Sequence, residues 1–365
     1  MLNSFRVAKI VAQWLEESPD GDRLPDHPPV HHPLWGCLRM VSLPDDISFP
    51  QRINIQTQAG CNAKCLFCPS PDVTGKIPIG TMDWDLFRKI VDECAEHEME
   101  RINPFSQNEP LLDKRIAERV AYIKERCGDR VTSLIISNGS RLTEQLMHEF
   151  IDAGLDRLKI SLQGLTKETY EKVMVTLDHE KVYANVENAF GVLKRRNASK
   201  PRLSVSTVTT GYNEGEIRAF KRYWKRRGIK ATASPCENRG GNIEEDGNLY
   251  PYGLQGMLGC IRPSVTAVVV YNGDVVLCCV DWWRTEVLGN LRDQSLEEIW
   301  NCDRIQEIRR GHAEGDRSVL PPICQDCKIS KLTARQHRNW RGLRDRAKAA
   351  AWRWRHGFDV DEDDE

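Results

Sequence analysis

The chain has 365 residues, 52 of them Lys or Arg and 53 Asp or Glu, for a formal net charge of −1, and 40% are hydrophobic. That length holds one large domain with appendages or two modest domains, and a charge so near zero supplies no global field to recruit nucleic acid or a membrane surface. Lys9 and Gln13 interrupt the N-terminal apolar run, and no stretch approaches the roughly 18 apolar residues of a membrane span.

We therefore expect a cytoplasmic protein, in which 13 cysteines point to metal or redox chemistry rather than structural disulfides. Residues 1–50 hold a short helical candidate and then the Pro/His-rich LPDHPPVHHPLWG, an extended linker with polyproline character. Its His27, His31 and His32 read as solvated rather than metal-binding. From Arg52 the pattern changes. RINIQTQ alternates as a strand, and CNAKCLFC follows it directly. WDLFRKIVDECAEHE places Leu86, Phe87, Ile90, Val91 and Cys94 at helical spacing. RINPFS is a strand, and Ile116, Val120, Ile123 and Cys127 mark the next helix face. TSLIISNG, RLKISLQG, RLSVSTVTT and IKATASPC are further strands. The helices between them run over 143–153, carry Val182, Val186, Phe190 and Leu193, and run over 214–227.

Six such repeats within 51–236 predict parallel strands with crossover helices. A doubly wound sheet and an open, partial (β/α)6 TIM barrel both fit, six units being too few to close a full barrel. Either architecture gathers chemistry at the C-terminal ends of its strands, where the cysteine loop sits. Over 237–330 the period is lost. AVVVYNGDVVLCCV reads as a hairpin about Asn272-Gly273, and SLEEIWNCDRIQEIRR as one helix with Ser295 as its N-cap. Residues 331–365 are a tail with nine Lys/Arg and one acid over 331–358, Trp340, Trp352 and Trp354 among them, and an acidic end, DVDEDDE. A solvated face is the plain reading of that tail; anionic lipid, RNA or a phosphorylated substrate are its other possible contacts.

Cys61, Cys65 and Cys68 form C-x3-C-x2-C. A closed zinc site needs four ligands, and no His or fourth Cys lies near in sequence, so zinc would need a remote ligand. A cubane has four irons; three thiolates leave one iron open to a small molecule. With Phe67 before the last cysteine, and with the loop following the first strand, this segment resembles the signature of the radical SAM superfamily.

That resemblance implies a 4Fe–4S cluster on Cys61, Cys65 and Cys68 that chelates S-adenosyl-L-methionine. In the family the reduced cluster cleaves the sulfonium, and a 5′-deoxyadenosyl radical abstracts hydrogen from substrate. Glu109 and Pro110 match the family's Gly-Gly-Glu-Pro, with Gln107 and Asn108 in place of the glycines; Glu109 would hold the methionine amino group. ISNG resembles the common Thr-Asn-Gly and puts Asn138 in the pocket. KISLQG resembles Ser-x-Asp-Gly, with Ser161 toward the ribose and Gln163 where Asp is usual. Reduced flavodoxin or ferredoxin is the family's electron donor.

Cys260 and Cys278 frame the hairpin as C-x12-G-x4-C, and Cys324 and Cys327 form C-x2-C. Around VLGNLRDQSLEEIWN this resembles the SPASM domain, in its shortened, twitch-like form. The resemblance implies one auxiliary 4Fe–4S cluster, fully ligated by Cys260, Cys278, Cys324 and Cys327. A zinc ribbon on the same four is the alternative. Cys279 could replace Cys278, although neighbours on a strand face opposite ways. Cys94 and Cys127 lie on apolar helix faces and read as core, and Cys37 and Cys302 lack partners. Cys236 ends the sixth strand at the active rim. It is either a packed thiol or a hydrogen-atom donor of the kind related radical SAM epimerases use.

The leading expectation is an oxidoreductase that dehydrogenates a small sugar, an aminocyclitol-like molecule or a peptide side chain and passes an electron to the auxiliary cluster. An epimerase using Cys236, and a zinc-stabilised protein docking its basic tail on nucleic acid or membrane, are the alternatives. For the leading expectation no stable nucleic-acid or membrane partner is needed.

Overall fold

The computed structural model describes residues 48–243, Leu249 and residues 260–328. The expected N-terminal helix and linker, with Cys37, and the basic tail lie outside the described residues. The strands are β1 (Arg52–Ile55), β2 (Lys64–Cys65), β3 (Arg101–Asn103), β4 (Leu134–Ser137), β5 (Arg157–Ser161), β6 (Met174–Val175), β7 (Arg202–Thr209), β8 (Lys230–Pro235), β9 (Thr266–Val269), β10 (Asp274–Val276) and β11 (Val287–Asn290). The helices are α1 (Ser70–Val73), α2 (Trp84–Glu96), α3 (Ile116–Cys127), α4 (Glu144–Asp152), α5 (Lys167–Val173), α6 (His179–Arg195), α7 (Ile217–Arg226), α8 (Arg262–Val265), α9 (Leu296–Trp300), α10 (Asp303–Glu314) and α11 (Pro322–Asp326).

The six expected strands are β1, β3, β4, β5, β7 and β8, and all their pairings are parallel. Between β3 and β4 the ladder thins to one bridge, Arg101 with Thr132, held by Ile102 N–H to the Thr132 carbonyl (3.1 Å) and Thr132 N–H to Glu100 (3.0 Å). Among the described residues β8 has only β7 beside it, so the array does not close. N-caps start three of the crossover helices. Asp83 accepts from the Leu86 amide at 2.8 Å, Thr143 from Leu146 at 3.1 Å and Asp178 from Lys181 at 2.8 Å, each satisfying an orphan donor of a first turn. Ile160 of β5, Val205 of β7 and Val182, Val186 and Val192 of α6 share one core, which fixes the strand ends where the cysteine loop must sit.

Four features depart from the sequence reading. A further helix, α5, precedes α6, and the two-residue pair β2–β6 crosses the cysteine loop. The hairpin forms as expected, β9 to β10, but β9 also pairs in parallel with β1, Ile53 opposite Ala267, and β10 carries β11 on its far side. The C-terminal segment thus extends the first sheet. Finally, the single helix expected from Ser295 is two. Ser295 caps α9 in a reciprocal box with Glu298. The chain then breaks at Asn301, whose side chain donates to the carbonyls of Ser48 (2.7 Å) and Glu297 (2.8 Å), and restarts from an extended Cys302.

Candidate active site

The cysteine loop is braced by β6 and the end of α5 and by bonds of its own. β2 pairs Lys64 and Cys65 with Val175 and Met174, and the Leu66 amide donates to Val173 at 3.1 Å. Within the loop the Cys68 amide donates to the Cys65 carbonyl (3.2 Å) and the Ala63 amide to the Cys61 sulfur (3.4 Å). Burial pushes all three thiols up, Cys61 to about 11, and charge on Cys61 and Cys65 would oppose charge on their neighbours. A thiolate triad here therefore needs a cationic partner. Among the described residues no three Cys, His, Asp or Glu converge on a point where one metal ion could sit.

The strand ends close on that loop. The Glu109 amide donates to the Gly60 carbonyl (3.0 Å), and Asn108 Nδ2 to Gln58 (2.7 Å). The Glu109 carboxylate is buried. Burial pushes its pKa up, while three donors work against that: the Asn138 amide (2.7 Å), Ser137 Oγ (2.7 Å) and the Leu111 amide (2.9 Å). Glu109 thus ties the second strand's exit to the end of β4, with one of its roughly four acceptor positions left over. Asn138 Nδ2 donates to Asn62 Oδ1 (3.0 Å) and lies 3.9 Å from the Cys61 sulfur. Ser161 ends β5 at the same rim. Gln163, where the family usually has Asp, accepts from the Val208 amide at 2.6 Å and so joins β5 to β7. Phe67 packs in one apolar cluster with Val173, Cys236, Ile243 and Leu249, against Cys65, Val208 and Tyr212. Burial pushes the Cys236 thiol up to about 11, so it is S–H at neutral pH.

The second cysteine set shares one hollow. Cys260, Cys278, Cys324 and Cys327 line one hollow, with Pro263, Leu277, Val280, Ile323, Arg262 and His312. Cys279 is not part of that lining. The premise for separating the neighbours needs correcting: β10 ends at Val276, and a turn closed by the Asp281 amide on the Cys278 carbonyl (3.1 Å) parts them, not strand alternation. Buried Asp281 shapes the return, accepting from the Thr285 amide (2.9 Å) and the Glu286 amide (3.0 Å). Cys94 and Cys127 are core, as expected, and Cys302 is partly buried against the same cluster.

Several residues here escaped the sequence reading. Arg239 lies close enough to Cys68, Cys236 and Cys279 to feel their charge, and Arg262 does the same for Cys279, Cys260 and Cys278. Gln107 holds a left-handed φ of 51° and donates from Nε2 to the Cys279 carbonyl at 3.3 Å, bridging the two cysteine regions. His312 shares the buried face of α10 with Ile305 and Ile308. Only that helical spacing could have flagged it. Burial, then Arg317, pulls its pKa down to about 4.

A family model described as the radical SAM superfamily matches residues 55–223, and SPASM, an iron–sulfur cluster-binding domain, matches 260–328. The chain is 23% identical over 290 residues to the S-adenosyl-L-methionine-dependent 2-deoxy-scyllo-inosamine dehydrogenase of Niallia circulans, covering 78% of this chain and 96% of that one. It is 26% identical over 320 residues to the tungsten-containing aldehyde ferredoxin oxidoreductase cofactor-modifying protein of Pyrococcus furiosus, covering 75% and 86%. Among solved structures, BtrN in complex with AdoMet and 2-DOIA superposes with a TM-score of 0.55 at 21% identity over 79% of this chain and 96% of that one. Streptococcus suis SuiB bound to precursor peptide SuiA superposes at 0.60 with 12% identity over 93% and 86%. These two show a shared fold.

Proposed function

The chain belongs to the radical SAM superfamily and carries a SPASM domain, and on that premise we propose that it is an oxidoreductase removing two hydrogens from a small sugar-like or aminocyclitol-like alcohol or a peptide side chain. Cys61, Cys65 and Cys68 would hold the first 4Fe–4S cluster, and Cys260, Cys278, Cys324 and Cys327 the auxiliary one. When bound, the first cluster with S-adenosyl-L-methionine supplies hydrogen abstraction, and the second supplies an acceptor for the electron the substrate sheds. Phe67, Asn138 and Ser161 would line the S-adenosyl-L-methionine pocket, with the free acceptor position of Glu109 for the methionine ammonium. The apolar cluster of Phe67, Val173, Cys236, Ile243 and Leu249 would keep water from the reacting face. Reduced flavodoxin or ferredoxin would donate electrons, in a reducing cytoplasm.

The observation that carries this reading is that Cys260, Cys278, Cys324 and Cys327 line one hollow. A complete ligand set leaves no iron for substrate and suits electron uptake. The similarity to a cyclitol dehydrogenase along 96% of that protein supports a small cyclic alcohol. The family assignment sets aside the zinc-stabilised docking protein. Oxygen-free reconstitution should give about eight irons per chain, and reduced enzyme with S-adenosyl-L-methionine and candidate alcohols should give 5′-deoxyadenosine with a product lighter by two hydrogens. Zinc in the second site, or 5′-deoxyadenosine without loss of hydrogen, overturns the dehydrogenase.

The packing of Cys236 against Phe67 favours a second reading, epimerisation with the thiol as hydrogen-atom donor. Its product would keep the substrate's mass and gain deuterium from solvent. Under the leading reading Cys236→Ala retains turnover within about threefold, a loss of less than ~1 kcal/mol; under the second it stops epimerisation.

A further inference from the structure

We propose that His312 donates a hydrogen bond from its ring to a sulfur of the auxiliary cluster and thereby makes that cluster easier to reduce. The inference rests on the reading that Cys260, Cys278, Cys324 and Cys327 hold a cluster.

His312 is 2% exposed, and neither ring nitrogen has a hydrogen-bond partner. A buried polar group left so is costly, a cost that a leucine would avoid at this place on the buried face of α10, beside Ile305, Ile308, Arg309 and Gly311. The ring borders the four-cysteine hollow. Most of the remaining lining side chains are apolar: Pro263, Leu277, Val280 and Ile323 offer no acceptor. Arg262 is a donor only. Sulfur is therefore the acceptor chemistry available to the ring, and imidazole carries at least one N–H in every protonation state. The position is one that a metal-free protein would leave unsatisfied and a loaded one would complete.

The direction of the effect follows from charge. Adding an electron makes the cluster more negative, and a donor aimed at its sulfur stabilises that state more than the oxidised one. Hydrogen bonds to sulfur are among the factors that set cluster potentials. The donor would favour electron uptake without touching substrate.

The test is a redox titration of reconstituted protein followed by EPR, with iron counted in each sample. His312→Leu should leave about eight irons and lower the auxiliary cluster's reduction constant about tenfold, 59 mV for one electron. The signal that shifts on adding S-adenosyl-L-methionine should not move. Gln and Asn place an amide N–H near Nε2 and Nδ1 respectively, so one of His312→Gln and His312→Asn should keep the native potential and the other lower it. That pair also decides the matter if the leucine variant misfolds. An unchanged potential in all folded variants with full iron overturns the proposal. So does loss of about four irons in every variant, which would make the ring a ligand. Wild-type protein without a second cluster overturns the underlying reading and this inference with it.

Discussion

Gln107 shows how a motif can be legible while its geometry is not. The sequence exposes Glu109-Pro110 in register after the second strand, and it exposes the missing glycines. It does not expose that Gln107 takes a left-handed φ of 51°, a backbone that favours glycine, with a side chain attached. Left-handed backbone costs a non-glycine residue about 1–2 kcal/mol. Something must offset it, and the bond from Nε2 to the Cys279 carbonyl is the visible compensation. A net hydrogen bond contributes about 0.5–1.5 kcal/mol. Gln107→Ala keeps the strain and loses the bond, so it should unfold at lower denaturant by about 1 kcal/mol. Gln107→Gly loses the same bond but also the strain, and should be the more stable of the two variants. Equilibrium denaturation of both checks the order; alanine above glycine would mean the backbone there is unstrained. His312 was illegible for the opposite reason. Its spacing was visible, but a lone histidine on an apolar helix face is ordinary, and only its unpartnered nitrogens beside four cysteines distinguish it.

At the scale of elements, local signals were read well and long-range ones were not. The caps at Asp83, Thr143 and Ser295 lie within three residues of the amides they bind, so the sequence displays them. The break at Asn301 depends on the carbonyl of Ser48, 253 residues away, and no local pattern carries it. Asp156 is a tie of the second kind. It sits before β5 and accepts from the Ser133 amide (2.9 Å) before β4, from Lys124 of α3, and from Lys200 before β7 (2.6 Å). These contacts lie at the strand N-termini, the end opposite the cysteine loop, where stability rather than chemistry is set. Burial pushes the Asp156 pKa up, but Lys124, Lys200 and the Ser133 amide outweigh it, and the folded value falls below the ordinary 3.8. A depressed folded pKa gives stability that is complete above 3.8 and lost as pH falls through the folded value. Asp156→Asn should therefore cost about 1–3 kcal/mol at neutral pH and progressively less in acid, with iron content unchanged. Denaturation midpoints of both proteins across the acid range test this; a difference independent of pH would place the effect in packing.

The whole molecule is less divisible than its sequence suggests. The change of pattern after Cys236 reads as a boundary, and the two matched segments fall on either side of it. The core does not respect it. Ile53 and Ile55 of β1, and Phe87 and Ile90 of α2, share one cluster with Ala267, Val269, Val275, Leu291, Leu296, Trp300 and Ile305. β9 covers the edge of β1 that would otherwise present unpaired amides and carbonyls. Side chains such as Trp300, Leu296 and Val269 bury about 1.5–3 kcal/mol each, several of them on this one face. Such contacts exceed what a marginally stable domain can lose, since net stability is only about 5–15 kcal/mol. A chain ending at Ile243 keeps all six parallel strands and the cysteine loop, yet it should not fold as a soluble monomer. Size-exclusion chromatography and near-ultraviolet circular dichroism should find aggregate or a species without fixed aromatic packing. The full chain should lose both segments' signals in one transition, because unfolding either one strips the other's core. A monomeric, natively packed 1–243 fragment would show that β1 and β3 stand without β9. The auxiliary site would then be an accessory to the parallel strands rather than part of the sheet that positions it.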